Sequence, residues 1–257
     1  MRPRAPSRSV TLRSVRVAFA WLCVCFGVVT ATAAGAAPQR DWPAIPSPPD
    51  ASTFWIAEYL EQNTVPMQIR GFETRVPLSE VVRYYEKWFA DKNGYGASEL
   101  GPARVLGARM GAYQVTVQLW ATPTGAGAGM GTKGRLVAAV VYEDVPDPEA
   151  RAARIGRGFP RPAGSQVISD TLSFDRGQRN RTVMVTNGVS VETNALYLRE
   201  QMIRLGWTLV QDRTIDGGLR SGLVFRRAQE EMVVTIARRD TDYIVIASQT
   251  SPDTDGQ

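Results

Sequence analysis

The chain has 257 residues, with 30 basic and 25 acidic side chains, no histidine and two cysteines. The lack of histidine excludes Ser-His-Asp and Cys-His catalysis and the usual histidine-containing zinc sites. Five of the arginines lie in the first 37 residues, which carry no acid, so the rest of the chain has 25 residues of each sign. Without a basic surplus there, we expect no nucleic-acid partner.

The first 36 residues have the three parts of a secretory signal peptide. A basic start from Arg2 to Arg16 is followed by residues 17–37, which carry no charge, and Ala34-Gly35-Ala36 offers a small-residue cleavage site. We expect the mature chain to begin at Ala37 and to be exported to the periplasm of a bacterial cell envelope. The alternative is an uncleaved segment anchored in the inner membrane, which would then be the chain's membrane contact.

Both cysteines, Cys23 and Cys25, lie within this segment. The mature chain is therefore expected to form no disulfide, although its destination is oxidising. Leu22 and Val24 precede the two cysteines, where a lipoprotein signal would need a small residue, so no lipid anchor is expected.

After the signal, the sequence predicts two folded units joined by polar segments. The proline-rich stretch before the first unit predicts an extended, solvated tether, or else an ordered lead-in. The stretch between the units has room for one short helical turn. The predicted division is a signal peptide at 1–36, a Pro-rich tether at 37–52, a first β-β-α-β-β-β unit at 53–144, a linker at 145–164, a second such unit at 165–250 and a disordered tail at 251–257.

The two units are predicted to be copies of each other, because their helices share one apolar pattern. The second helix carries Val191, Ala195, Leu198 and Met202 on one stripe, and the first carries Leu78, Val82, Tyr85 and Phe89 at positions 113 residues earlier. Ser190 is expected to cap the second helix. Two unrelated segments with the same pattern are the alternative.

Further along each unit, residues 104–120 and 223–239 each predict a β-hairpin. The sequence therefore predicts an α+β protein of two tandem similar units. Each would be a mostly antiparallel sheet of about four to five strands with one amphipathic helix packed on one face.

The glycine-rich stretch from Thr122 to Gly134 contains a formal GxGxxG at Gly129, Gly131 and Gly134. A dinucleotide site requires such glycines to open a helix, whereas a strand is predicted to follow here. We therefore expect a long flexible hairpin loop that contacts a partner, and no cofactor.

Candidate contact residues come from this loop, from aromatic side chains and from arginines on the predicted strands. Exposed aromatic or basic groups suit a binding surface, although the aromatics would equally fill the seam between helix and sheet. The candidates are Trp88, Trp120, Gly125, Gly127, Gly129, Met130, Gly131, Lys133, Arg226 and Arg238. No catalytic, cofactor-binding or metal-binding residue is predicted.

These features favour a non-enzymatic, exported binding or assembly factor for a cell-envelope machine such as a secretion system, a pilus or outer-membrane assembly, with an envelope protein as partner. One alternative is a carrier of a small apolar or saccharide ligand in a cleft, and a third is an enzyme that uses carboxylates alone. An exposed strand edge would favour the first, an apolar pocket of a few hundred Å³ the second, and two converging carboxylates the third.

Overall fold

The computed structural model describes residues 40–124, 129–141, 147–175 and 177–252. The predicted signal peptide, Gly125, Gly127 and the last five residues of the predicted tail lie outside these ranges. No helix within them has the length and apolarity to cross a membrane.

The described chain forms twelve strands and three α-helices. The first half contains β1 Ser52–Gln62, β2 Val65–Thr74, α1 Leu78–Phe89, β3 Asn93–Leu100, β4 Ala103–Met110, β5 Tyr113–Pro123 and β6 Met130–Val140. The second half contains α2 Pro148–Ala152, β7 Gln166–Asp175, β8 Gln178–Asn187, α3 Val191–Arg204, β9 Thr208–Ile215, β10 Arg220–Arg227, β11 Glu230–Arg239 and β12 Asp242–Pro252.

All twelve strands belong to one antiparallel sheet, in the order β3-β4-β5-β6-β2-β1-β7-β8-β12-β11-β10-β9. The predicted fold class, two tandem units each with its own sheet, is therefore wrong. The two sets of strands merge because β1 hydrogen-bonds to β7 at the centre of the sheet. Two neighbouring edge strands satisfy their backbone groups by pairing, and apolar periodicity carries no information about that pairing.

The strand number was also underestimated, since each half contributes six strands instead of four or five. The two strands that were missed are β3 and β9, the outermost strands of the sheet. All side chains of β3 are exposed, and nearly all of those of β9 are. Neither strand therefore shows the alternation of apolar and polar residues that identifies a half-buried strand.

Each long helix covers a core on its half of the sheet. The predicted stripe of α3 is confirmed, since Val191, Ala195, Leu198 and Met202 are all buried against β8 to β12. Ser190 caps this helix by accepting a hydrogen bond of 3.2 Å from the amide of Thr193. Helix α1 buries Val81, Tyr85 and Phe89 against β2, β4, β5 and β6, with Leu78 and Val82 partly buried.

The strand register places both helices on the same face of the sheet. Residues directly opposite each other in an antiparallel pair share a face, as do alternate residues of one strand. Phe72, which packs in the α1 core, shares its face with Pro66; Pro66 lies opposite Glu61 of β1, and Glu61 lies opposite Leu172 of β7. Leu172 lies opposite Arg181, which is on the same face of β8 as the valines of the α3 core.

The segment before β1 is packed against the α1 half. Ile45 is buried, the ring of Trp42 lies 5.4 Å from that of Tyr113, and the hydroxyls of Tyr84 and Tyr85 donate 2.9 Å hydrogen bonds to carbonyls in this segment. The chain from residue 41 to residue 50 is therefore an ordered lead-in and not a solvated tether.

Candidate protein-binding edge

Strand β1 is paired from end to end on one side, apart from two bulges, and over only three residues on the other. It pairs with β2 from Ser52 to Gln62, whereas its pairs with β7 run only from Leu60 to Gln62. The cause is the stagger of the two antiparallel strands, because Leu60 lies opposite Ser173 and β7 ends two residues later. Among the described strands, none pairs with the outer side of residues 52–59, which we call the β1 edge.

Three consecutive large apolar side chains of the β1 edge are exposed. Phe54, Trp55 and Ile56 have exposed fractions of 51%, 47% and 48%. Fully burying an exposed side chain of this size contributes about 1.5–3 kcal/mol, so burying the exposed half of each would contribute about half of that. Exposed apolar side chains on a strand with an unpaired side are typical of a surface that pairs with another chain.

The backbone of β1 directs these three side chains differently. Phe54 lies opposite Gly71, on the face away from the helices, and its ring covers that glycine so closely that a Cβ there would lie 2.5 Å from ring atoms. Trp55 points to the helix face, where the guanidinium of Arg70 lies 5.9 Å from its ring centroid. Ile56 sits in the first of two register shifts in β1. The shift adds one residue, so apolar groups flank the edge on both faces.

The β1 edge carries little of the protection that other edges have. Natural edge strands are blunted by lysine, proline or other charged side chains and by bulges. Within residues 52–59 the only charged side chain is that of Glu58 and there is no proline, so this glutamate and the two bulges are the only such features there. Strand β9 at the outer edge of the sheet, by contrast, carries Asp212 and Arg213.

Just beyond the β7 end of the β1 edge, Glu61 lines a basic cavity of about 270 Å³. Its lining has more cations than anions, with Arg154, Arg157, Arg179 and Arg181 facing Glu61 and Asp170. Arg181 is bound to Asp170 by hydrogen bonds of 2.9 and 2.7 Å. A strand added at the β1 edge would therefore find positive charge beside one of its ends, which suits an acidic residue.

The neighbouring tyrosine of β1 is held neutral. Tyr59 is buried and its hydroxyl donates a 2.6 Å hydrogen bond to Glu61. Burial, followed by this bond to a carboxylate, raises the pKa of Tyr59 well above its usual range. The Tyr59 ring also lies 5.9 Å from that of Phe174 on β7, so it belongs to the contact between the two halves.

The glycine-rich loop is shorter than predicted. Strands β5 and β6 remain paired up to Pro123 and Met130, and the amide of Thr124 donates a 3.1 Å hydrogen bond to the carbonyl of Gly129. Gly131 is buried. It packs so closely that a Cβ there would lie 2.4 Å from the Thr74 carbonyl oxygen. Met130 and Lys133 are exposed within β6.

The other predicted contact residues lie apart from one another. Trp88 is half-buried on α1, 4.6 Å from the Phe89 ring. Trp120 lies on β5, with the Arg135 guanidinium 5.3 Å from its ring centroid. On the second half, Arg226 pairs with Glu231 at 2.9 Å, and Arg238 lines a separate cavity beside α3. The structure does not bring these residues together into one site.

Sequence reasoning missed the β1 edge, although its signal was present. Phe54, Trp55 and Ile56 are consecutive, and a strand can direct only alternate residues to one face. Three neighbouring large apolar residues in a strand therefore imply that at least one points away from the core. Which side of the strand lacks a partner depends on the stagger between β1 and β7, which apolar periodicity does not report.

Within the described ranges, no three acidic side chains cluster in a way that could hold a metal ion. No family model, curated protein or solved structure matches the chain.

Proposed function

We propose that the chain is a non-enzymatic binding or assembly factor, exported to the cell envelope, that binds an envelope protein by strand addition at the β1 edge. The observation that carries this proposal is the unpaired backbone of residues 52–59 beside three exposed apolar side chains. An extended partner segment would satisfy that backbone by continuing the sheet.

The surroundings of the edge define the partner segment. It presents apolar side chains to Phe54 on one face of the sheet and to Trp55 on the other. The surplus of arginines in the adjoining cavity favours an acidic residue at the end nearest β7. Export is supported by the signal-peptide pattern of the first 36 residues.

The test is affinity capture of the tagged full chain from its own cell envelope after gentle crosslinking, with Ile56→Lys compared with the wild type. Lysine at an edge strand opposes pairing with another strand, so we expect recovery of the envelope partner to fall at least about ten-fold. Because Ile56 is exposed, the variant should fold normally. The mass of the captured chain also shows whether it begins at Ala37.

Ile215→Lys is the matched control, since Ile215 is 49% exposed and lies on the outer edge strand β9. The control should capture the partner as well as the wild type does. The proposal fails if Ile56→Lys captures the partner undiminished, or if Ile215→Lys alone loses it.

A further inference from the structure

A second surface cavity lies between α3 and the β9 end of the sheet. Its volume is about 590 Å³, within the range of small-molecule sites. Val191, Ala195 and Leu196 of α3 and Leu219 beyond β9 provide apolar lining. The cavity is part of the second half of the sheet and does not include the β1 edge.

Ser221, on the sheet side of this cavity, has a hydroxyl without a partner. Its side chain is only 3% exposed, and no described residue hydrogen-bonds to its Oγ. A buried polar group without a partner costs about 1–3 kcal/mol, so such groups usually serve a ligand or water. Ser221 is therefore the first indication of a polar ligand.

More donors meet at the same cavity. Val191 and Glu192 of the first turn of α3 line it, and their amides lack intrahelical acceptors, whereas the next amide, that of Thr193, is already bound by Ser190. The Nε of Arg199 is buried without a partner, although its Nη2 is paired with Asp212. The positive end of the helix dipole adds to this excess of donors.

The charged side chains around the cavity cancel one another and leave hydrogen-bond donors without partners. Arg199 neutralises Asp212. Arg238, whose Nε donates to the Asp240 carbonyl oxygen, faces the cavity with Glu192. The charges of the side chains thus balance, and the unpaired donors favour a ligand that supplies acceptor oxygens.

We propose that this cavity binds a small amphipathic anion, with its carboxylate or phosphate oxygens at Ser221 and the first turn of α3 and a short aliphatic body against Leu196 and Leu219. A bare inorganic ion would leave most of the 590 Å³ empty, and a purely apolar molecule would leave the donors unpaired. The inference is independent of strand addition at the β1 edge.

The first half of the sheet lacks the connection that closes one side of this cavity in the second half. There, β3 ends at Leu100 and β4 begins at Ala103, whereas the corresponding connection between β9 and β10 runs from Asp216 to Leu219 and contains a 3-10 turn. Residues of this longer connection line the cavity, and Gly217 within it has a φ of 64°. The site is therefore a feature of the second half alone.

The test is an NMR titration of the ¹⁵N-labelled full chain with hexanoate, hexyl phosphate, 1-hexanol and inorganic phosphate. We expect hexanoate or hexyl phosphate to shift the amides of Val191, Glu192 and Leu219. Either should bind at least about ten-fold more tightly than hexanol or inorganic phosphate, because only these probes supply both the anion and the aliphatic body. The tighter of the two identifies the preferred oxyanion.

Ser221→Ala removes a hydroxyl without a protein partner, so it should fold normally and bind the preferred anion about ten-fold more weakly. Ser248→Ala, an exposed serine of β12, is the control and should bind as the wild type does. The proposal is overturned if hexanol or inorganic phosphate binds as tightly as the amphipathic anions do. It is also overturned if the shifted amides lie only outside this cavity, or if Ser221→Ala binds the anion as tightly as the wild type does. None of these outcomes bears on capture of a protein at the β1 edge.

Discussion

Asp170 of β7 connects four segments of the chain. Its carboxylate accepts hydrogen bonds from Arg181 of β8 and a 2.7 Å bond from the amide of Gly156 in the linker. Its backbone exchanges two 2.8 Å hydrogen bonds with Asn63, at the end of β1. Burial alone would raise the pKa of Asp170, but the hydrogen bonds from Arg181 and from the Gly156 amide, with the charge of Arg181, outweigh it and hold that pKa below its usual value.

Asp170→Asn should lower the free energy of unfolding at pH 7 by about 2–3 kcal/mol, because it leaves the part-buried Arg181 without its counter-charge. The lowered folded-state pKa means that this contribution is complete above about pH 5 and is lost as the pH falls through that pKa. Urea unfolding from pH 7 to pH 2 should thus show the difference between wild type and variant shrinking in acid. Asp91→Asn, at an exposed aspartate, should change little; a difference independent of pH would contradict the assignment.

Among single residues, those with local roles were predictable from the sequence. Ser190 caps α3 by accepting a hydrogen bond from the amide of Thr193, a contact that spans only three residues. Ser221 and Asp170 were not predictable, since the first is defined by the lack of a partner and the second by partners far away in the chain. The β1 edge was equally unpredictable, because it is defined by the lack of a neighbouring strand along its outer side.

The ordered lead-in is an element whose interactions come from carbonyl groups. Its prolines lack amide hydrogens, so it presents acceptors to the rest of the chain. Tyr84 and Tyr85 of α1 and Thr74 of β2 donate to the carbonyls of Ser47, Pro46 and Pro49. Because the lead-in crosses the α1 core with Ile45 buried, it is a structural part of the first half.

Tyr85→Phe should release part of this lead-in. The substitution leaves the Pro46 carbonyl without its donor, so we expect a loss of about 1–2 kcal/mol in the free energy of unfolding. Hydrogen exchange measured by mass spectrometry should show faster exchange in residues 41–50. Tyr95→Phe, on the outer strand β3, should leave that exchange unchanged; equal exchange in both variants would contradict the proposed role of the Tyr85 hydroxyl.

Among the elements, the helices and the hairpins that they cover were predictable because one face of each is buried. The period of α3 and the alternation in β10 and β11 follow directly from that burial. The outer strands were not predicted, because a strand such as β3 has no buried face and so no apolar alternation. The length of the flexible loop was overestimated for a different reason. Gly131 and Gly134 belong to β6, and each lies close against neighbouring side chains or backbone, so these two glycines indicate close packing and not flexibility.

At the scale of the molecule, two cores share one sheet through a narrow joint. Strands β1 and β7 contribute three residue pairs, extended by the bonds between Asn63 and Asp170. Neighbouring strands within each half pair over much longer stretches, such as the ten pairs of β8 with β12. The single sheet could not be predicted from the apolar patterns of the two halves, because two separate sheets would bury the same residues equally well.

Native-state hydrogen exchange should rank these contacts. The amide of Asn63, which donates to Asp170 across the joint, should exchange through local opening at a lower free energy than the amides in the centre of β8 and β12. Asn63 has a φ of 49°, so Asn63→Gly keeps the backbone accessible while removing the side-chain acceptor. It should speed exchange at Asp170 and leave β8 and β12 unchanged. Exchange of the joint only by global unfolding would show that the halves do not open separately.

The order of synthesis gives the β1–β7 joint a consequence for folding. Asn63 and Asp170 are 107 residues apart, and closing a loop of that length costs about 4 kcal/mol of chain entropy. The six strands of the first half lie within the first 140 residues and can pair while the ribosome is still making the second half. Until β7 has been made, the outer side of β1 is free along all eleven of its residues. A nascent chain then presents a longer unpaired edge than the finished protein does, and it depends on rapid completion or on a chaperone to avoid pairing with its neighbours.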